Sequence, residues 1–145
     1  MAQTPILLSD VLSALARPPI IHFSLPIYYD QSKSTTVLVN MNRYTKWHYH
    51  QRAQAKLHYH SLVHEAVPPP TETLTSFLTI FYIYYRNPTS DPGNIAEVIE
   101  KFALDALKLS GHITDDNAKL HSASLWLVPC QDKANPRCEV SLIKL

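Results

Sequence analysis

The stretch FLTIFYIYY, residues 77–85, decides the fold because it is almost continuously apolar and aromatic. Such a run predicts a central β-strand that other elements cover on both faces. Turn residues follow at positions 87–93, and a helix is expected from about Asn94 to Leu109, because apolar side chains recur there at helical spacing. A strand followed by a helix and further strands is typical of an α/β domain with a mixed sheet.

Periodicity and turn residues also predict the remaining elements of the chain. These are a short helix over residues 6–17, a long helix over residues 45–67, strands over 20–25, 37–39, 122–128 and 139–144, and a polar loop over 29–36. We therefore expect an N-terminal helical arm, residues 1–19, and one α/β domain, residues 20–145. Its mixed β-sheet should be packed by two long helices.

Composition excludes several classes of protein. The 145 residues carry a formal net charge of only +1, which excludes a strongly basic coat but leaves room for a local basic patch. Two glycines are too few for a glycine-rich phosphate loop, and two cysteines cannot form a disulfide framework. No apolar run is long enough to span a membrane and the N-terminus is a poor signal peptide, so we expect a cytoplasmic protein without a membrane partner.

Carboxylates flank the helix predicted after the central strand. Asp91 precedes that helix, Glu97 and Lys101 lie on it, and Asp115 and Asp116 follow it. If the helix packs so that both of its flanks border one cleft, these acids come together, and a hard cation such as Mg²⁺ is needed to offset their repulsion. A nearby lysine would stabilise charge that develops on a phosphate. The pattern therefore indicates a metal-dependent phosphodiester site.

The same residues also have structural interpretations. Asp91, directly before a proline, is a good helix N-cap. Glu97 and Lys101 are spaced as a favourable ion pair on one helix, and Asp115 and Asp116 suit a turn. The spacing alone leaves both interpretations open.

Residues 91–107, DPGNIAEVIEKFALDAL, and 111–117, GHITDDN, resemble the core of the RusA-type Holliday junction resolvases. The segment NMNRY, residues 40–44, and the helix after it also resemble that family's Asn-Arg-Tyr region. The likeness covers about residues 20–145. Its most specific part is KFALDAL, residues 101–107, followed by two adjacent aspartates.

This resemblance implies a homodimeric endonuclease of phage or prophage type, which cuts four-way DNA junctions with Mg²⁺ in the host cytoplasm. Matched residue by residue, Asp91 and Asp116 correspond to catalytic, metal-binding acids, and Asp115 lies beside the second of them. Lys101 corresponds to the family's active-site lysine.

One departure from the family pattern bears on activity. The family turn usually reads Asp-x-Asp-Asn, and here Gly93 replaces the second acid. Counted back from Lys101, Glu97 falls at the position of the missing carboxylate and is the candidate to replace it. The alternative is a catalytically degenerate relative that acts as a DNA- or protein-binding factor in phage–host interaction. A Glu97 turned to solvent, with no affinity for Mg²⁺, favours that alternative.

Candidate DNA-binding residues lie upstream of the central strand. They are Asn42, Arg43, Lys46, Arg52 and Lys56, interleaved with the aromatic residues Trp47, Tyr49 and Tyr59. Aromatic rings among basic residues suit unpaired bases, although the same rings are equally suited to a hydrophobic core.

Two further possibilities involve other parts of the chain. His60 and His64, with Glu65 beside them, have a spacing that can bind zinc from one helix face. The N-terminal helix lies outside the resemblance and is expected to stabilise a dimer or to dock another protein.

Overall fold

The computed structural model describes residues 5–145 and places ten elements in that range. In chain order they are helix α1 (Leu8–Leu15), strands β1 (Ile21–Pro26), β2 (Tyr28–Ser32) and β3 (Thr35–Leu38), helices α2 (Met41–Lys46) and α3 (Tyr49–Ala66), strand β4 (Phe77–Tyr84), helix α4 (Pro92–Leu109), and strands β5 (His121–Leu127) and β6 (Arg137–Lys144). The predicted α/β class is confirmed. The first four residues of the expected arm lie outside the described residues.

Strand β4 lies inside a four-stranded sheet of order β1-β6-β4-β5. It pairs antiparallel with β6 and parallel with β5, while β1 pairs antiparallel with β6, so the sheet is mixed as predicted. Helix α4 connects the two parallel strands, as such a pair requires. Strand β5 therefore forms one edge of the sheet.

The side chains of β4 alternate between two hydrophobic clusters. Phe77 and Phe81 belong to the main core together with residues of α3 and α4, such as Tyr59 and Phe102. Leu78 and Ile80 belong to a smaller cluster that contains Ala14 of α1. Since neighbouring side chains of a strand point to opposite faces, α3 and α4 cover one face of the sheet and α1 covers part of the other. This confirms a central strand buried on both faces.

The polar loop expected over residues 29–36 is instead a β-hairpin. Strands β2 and β3 pair antiparallel, and the hydroxyl of Thr36 donates a hydrogen bond to Asp30 at 2.6 Å. The polar residues of this segment suggested a loop, but they lie on the exposed face of the hairpin. Val37, on the other face, is buried in the core. The β-branched residues from Thr35 to Val37 were the available strand signal.

The long helix expected over residues 45–67 begins only at Tyr49, as α3, and residues 41–46 form a separate helix, α2. Asn40 caps α2 by accepting a hydrogen bond from the backbone N–H of Arg43 at 2.9 Å. Trp47 is extended, with ψ of 141°, and its side chain is 9% exposed, so the chain bends where this ring enters the core. The guanidinium of Arg52 donates hydrogen bonds to the carbonyl oxygens of Tyr44 and Thr45, both at 2.9 Å. These bonds give partners to carbonyl groups at the C-terminal end of α2 that have none within the helix.

Within residues 5–145, no helix combines the length and the apolar character that crossing a membrane requires.

Candidate functional site

The N-terminus of α4 is built around Asp91. Its Oδ1 accepts hydrogen bonds from the backbone N–H groups of Gly93 and Asn94 at 3.0 and 3.4 Å, and its Oδ2 accepts one from the Asn94 side chain at 3.2 Å. Pro92 occupies the first helical position. The N-cap interpretation of Asp91 is thus confirmed, and this carboxylate remains exposed at the surface.

The other acidic pair lies just beyond the C-terminus of α4. Asp115 accepts hydrogen bonds from the backbone N–H of Asp116 at 2.8 Å and from the Asn117 side chain at 3.0 Å. Lys108, in the last turn of α4, lies 3.5 Å from Asp115 and 3.7 Å from Asp116. The backbone hydrogen bond is the main cause that lowers the pKa of Asp115, and the charges of Asp116 and Asp115 raise the pKa of Lys108.

The two acidic groups do not meet within the described residues. Helix α4 contains 18 residues and is therefore ~27 Å long, with Asp91 at its start and Asp115 and Asp116 beyond its end. The expected cleft shared by Asp91, Glu97 and Asp116 is not formed. The physical reason is the crossover, because a helix that connects two parallel strands runs antiparallel to both and its two ends lie at opposite ends of the sheet.

Within residues 5–145 these acids are not brought together as ligands of one Mg²⁺ ion. Among the described residues there is no group of three or more His, Cys, Asp or Glu side chains arranged to hold a metal ion. Glu97 and Lys101 are both exposed, and neither side chain makes a hydrogen bond or an ion pair within residues 5–145. The helical pair expected between these two side chains is therefore not formed, and Glu97 contacts no other acid.

A polar cluster that the sequence did not reveal joins β5 to α4 and β4. The hydroxyl of Ser124 donates to Glu100 at 2.6 Å and lies 2.8 Å from His121 Nε2. The buried hydroxyl of Thr79 lies 2.8 Å from the same His121 nitrogen and 2.9 Å from Ser124. The available signal was the group of polar residues in HSAS, residues 121–124.

This cluster is not arranged as a hydrolase triad. In a triad the carboxylate accepts from the histidine and orients it, so that the histidine can take the serine proton. Here Glu100 accepts from Ser124 instead, and the hydroxyl of Thr79 also approaches the histidine nitrogen. The cluster therefore fastens β5 to the rest of the domain.

The candidate DNA-binding residues divide into two groups. Asn42, Arg43 and Lys46 are exposed on α2, and the side chains of Arg43 and Lys46 make no ion pair or hydrogen bond within residues 5–145. Arg52 donates a hydrogen bond to the Tyr44 carbonyl at the end of α2, and its guanidinium lies over the Tyr44 ring, 4.9 Å from the ring centroid. Lys56 forms an ion pair with Asp105 on α4 at 3.1 Å. The first group is available to a ligand, whereas the second holds helices together.

The three aromatic residues of this region also divide. Trp47 and Tyr59 lie in the core, at 9% and 0% exposure. Tyr49 is 74% exposed, and its ring lies 3.9 Å from the ring of His50. Of the three, only Tyr49 presents its ring to a ligand.

The histidine pair of α3 lacks a zinc site in the described residues. The rings of His60 and His64 lie 6.3 Å apart, and no third ligand completes a metal group within residues 5–145. His60 is only 6% exposed, and its Nε2 is buried without a hydrogen-bond partner. Burial is the main cause that lowers the pKa of His60, and the charge of Lys56 lowers it further.

We expect His60 to make the stability of the protein pH-dependent. The pKa of a histidine in the unfolded chain is about 6.5, and the pKa of His60 in the folded protein is lower. The contribution of His60 to the free energy of unfolding is therefore constant above pH ~6.5. Below that pH the protein loses stability until the pH reaches the folded pKa, because the unfolded chain binds a proton more readily. His60→Leu should raise the unfolding free energy at pH 7.5 by about 1 kcal/mol, because it removes an unpaired polar group. The same substitution should also reduce the stability that the protein loses at pH 5.

Urea unfolding at both pH values measures these effects, and His50→Leu, at an exposed position of α3, is the control. A variant with the same acid sensitivity as the parent would contradict the role given to His60.

The N-terminal helix presents a stripe of leucines to solvent. Leu8, Leu12 and Leu15 recur at helical spacing on α1 and are 73%, 59% and 40% exposed. Ala14 of the same helix is fully buried against the sheet. The expected protein partner of α1 stays a prediction.

No protein-family model matches the chain, and a search of the curated proteins also finds no match.

Proposed function

We propose that this chain is a RusA-like protein that binds four-way DNA junctions through its helical face, the side of the sheet covered by α2, α3 and α4. The observation that carries this proposal is the α2–α3 corner, residues 42–50. Arg43 and Lys46 are exposed there without an acidic partner in the described residues, and the exposed ring of Tyr49 lies close by in the chain. Exposed His48 and His50 add further polar rings at the same corner.

The chemistry of the corner suits branched nucleic acid. Lysine and arginine side chains that contact phosphates release condensed counterions, and this release supplies most of the affinity for DNA. An exposed tyrosine can stack on a base that has lost its partner, as bases do where a junction opens. Because the net charge of the chain is only +1, binding should depend on this local patch and weaken strongly with salt.

We expect Lys46→Ala to lower junction affinity several-fold and to reduce the slope of log affinity against log salt by about 1, since one phosphate contact is lost. Fluorescence anisotropy with a labelled four-way junction at several KCl concentrations measures both effects. Lys133→Ala is the matched control, because it removes one exposed lysine from the loop before β6. Equal salt slopes for the two variants would exclude the corner as the binding site.

A Mg²⁺-dependent junction endonuclease is the second candidate function. It is favoured by the exposed position of Asp91 and by Asp115 and Asp116, whose carboxylates stay partly exposed near Lys108. Because one protomer keeps the two acidic groups at opposite ends of α4, this candidate requires a homodimer in which both protomers contribute acids. The contact between Glu97 and a second acid, which would have supported a site within one protomer, is absent from the described residues.

One assay separates the two candidates. Purified protein is incubated with a labelled four-way junction, with and without Mg²⁺, beside a linear duplex. Tight and junction-selective binding without cleavage supports the binding protein. Symmetric cuts that need Mg²⁺ and are confined to the junction establish the nuclease. Failure to distinguish the junction from the duplex overturns both.

A further inference from the structure

A row of paired residues crosses the sheet on the face that α1 partly covers. It runs from β1 through β6 and β4 to β5 and consists of His22, Ser141, Ile80 and Leu125. Residues paired in this way point to the same face of a sheet. Ile80 belongs to the smaller hydrophobic cluster beneath α1, so the side chains of His22 and Ser141 also point to that face.

His22 lies between a serine hydroxyl and a carboxylate. Its Nδ1 lies 2.6 Å from Ser141 Oγ, and its Nε2 lies 3.3 Å from Glu139 Oε1. A carboxylate beside Nε2 favours the neutral imidazole that carries its proton there, and Nδ1 is then the acceptor for the serine proton. This order of carboxylate, histidine and serine is the one that a hydrolase triad requires and that the cluster around Ser124 lacks.

The carboxylate of Glu139 is itself held in place. Its other oxygen, Oε2, lies 3.1 Å from Arg137 Nη2, and the guanidinium of Arg137 also donates a hydrogen bond to Asp132 at 2.9 Å. The same guanidinium lies over the ring of Tyr84, 3.9 Å from the ring centroid. These contacts fix Glu139 with one oxygen towards His22, as a group that orients a catalytic histidine must be fixed.

Ser141 also lines a cavity on this face of the sheet. The cavity has a volume of about 360 Å³, towards the lower end of the roughly 300–1,000 Å³ that is typical of ligand pockets. Ser141 is only 4% exposed, so a ligand reaches its hydroxyl through this cavity. The apolar part of the lining comes from α1 and three strands and consists of Leu15, Ile80, Leu125, Leu127 and Ile143. Walls of this kind suit a small apolar chain.

We propose that Ser141 is the nucleophile and His22 the base of an esterase site, whose substrates are esters of small apolar carboxylic acids. Glu139 is the positioning residue that orients His22. Tyr82 and Arg17 line the same cavity and carry O–H and N–H donors. They are the donors available to the oxyanion that forms when a serine attacks an ester carbonyl.

The proposed reaction needs only water besides the ester. Ser141 Oγ forms a bond to the carbonyl carbon while its proton moves to His22 Nδ1, and the carbonyl oxygen becomes an oxyanion. The bond to the alcohol oxygen then breaks, and His22 gives the proton to the departing alcohol. This leaves the acyl group on Ser141. Water attacks the acyl group and gives a proton to His22, the carboxylic acid is released, and Ser141 Oγ recovers its proton.

Covalent labelling of the full chain tests the nucleophile. A fluorophosphonate with a short alkyl chain should label a single serine, and mass spectrometry should place the label on Ser141. Ser141→Ala should not be labelled. Ser24→Ala, at an exposed position on the same face of the sheet, is the matched control and should be labelled as the parent protein is. A parent protein that takes no label, or a label on another serine, overturns the proposal.

Hydrolysis of p-nitrophenyl hexanoate tests the other two residues. His22→Gln should lower kcat by roughly 100-fold or more, the contribution of a general base. Glu139→Gln should lower kcat and leave KM almost unchanged, because Glu139 orients His22 and does not contact the ester. Asp132→Asn is the matched control, since it removes the other carboxylate partner of Arg137 and leaves Glu139 beside His22, so its kcat should equal that of the parent.

Two outcomes of the kinetic experiment contradict the site. Hydrolysis by Ser141→Ala at the rate of the parent would come from other residues, and a Glu139→Gln variant that melts earlier but keeps the kcat of the parent would make that carboxylate structural. The esterase site lies on the face of the sheet opposite α3 and α4, so it is independent of the proposed junction binding. A protein that is labelled at Ser141 and shows no preference for junctions would overturn the proposed function and leave this inference standing.

Discussion

Replacing Gly93 with aspartate is expected to give this protein a Mg²⁺-dependent stability that it lacks with glycine. The substitution would restore the second acid of the Asp-x-Asp-Asn turn of the resolvase family to which we propose this chain is related. The new carboxylate would lie next to that of Asp91, and two neighbouring carboxylates repel each other until a hard cation joins them. Mg²⁺ should therefore raise the melting temperature of Gly93→Asp and leave that of the parent protein unchanged.

The local structure accommodates this change. A Cβ at position 93 would lie 3.5 Å from Asp91 Oδ1 and 3.6 Å from the nearest atom of Trp126, which are ordinary contacts. Among the described residues, positive φ occurs only at Gly111, so the backbone of Gly93 suits any L-residue. Removing a glycine from the first turn of α4 should also stabilise the helix by up to about 1 kcal/mol.

Gly93→Asn is the matched control, because it has nearly the same volume and no charge. Melting curves with and without Mg²⁺ read out metal binding, and junction cleavage reads out chemistry. If the nuclease candidate holds, cleavage by Gly93→Asp should exceed that of the parent by at least tenfold. If Mg²⁺ changes the melting temperature of the aspartate variant no more than that of the asparagine variant, this turn is not a metal site.

The spacing of apolar residues was sufficient to predict the elements with a regular pattern of burial. The apolar run at residues 77–85 predicts strand β4, and the apolar stripe of α4 predicts that helix, without information from distant parts of the chain. The break between α2 and α3 could not be predicted in the same way, because it depends on the burial of Trp47 and on Arg52 reaching back to two carbonyl oxygens. Both contacts are tertiary.

The candidate site was harder to predict than the fold for a similar reason. Periodicity tells which residues share a face of α4, but it does not tell which ends of the neighbouring strands the helix approaches. That depends on the parallel pairing of β4 with β5, which sets Asp91 and Asp116 at opposite ends. Exposure was equally hard to predict, since Trp47, Tyr49 and Tyr59 are all large aromatic residues of one region, yet Trp47 and Tyr59 are buried whereas Tyr49 is exposed.

Tyr59→Ala is expected to destabilise the protein by about 3–5 kcal/mol, as large aromatic truncations in a core do. Tyr59 is fully buried, its ring stacks on Phe102 at 5.1 Å, and its hydroxyl donates to the carbonyl of Pro26 at 2.6 Å. Burial raises the pKa of this hydroxyl, which therefore stays protonated and keeps donating. One side chain thus joins α3 to α4 and to the end of β1.

Two further variants separate the core role of Tyr59 from the ligand role proposed for Tyr49. Tyr59→Phe keeps the ring and leaves the Pro26 carbonyl without this donor, so it should cost only about 1–2 kcal/mol in urea unfolding. Tyr49→Ala, at 74% exposure, should change stability by less than about 0.5 kcal/mol. It should instead weaken binding to a four-way junction by roughly fivefold or more, the cost of one lost base stack. If Tyr49→Ala binds the junction as tightly as the parent protein does, the exposed ring of Tyr49 has no role in junction binding. If Tyr59→Phe loses binding while its folding is intact, the contact of α3 with β1 controls the junction surface, because the hydroxyl of Tyr59 is buried away from any ligand.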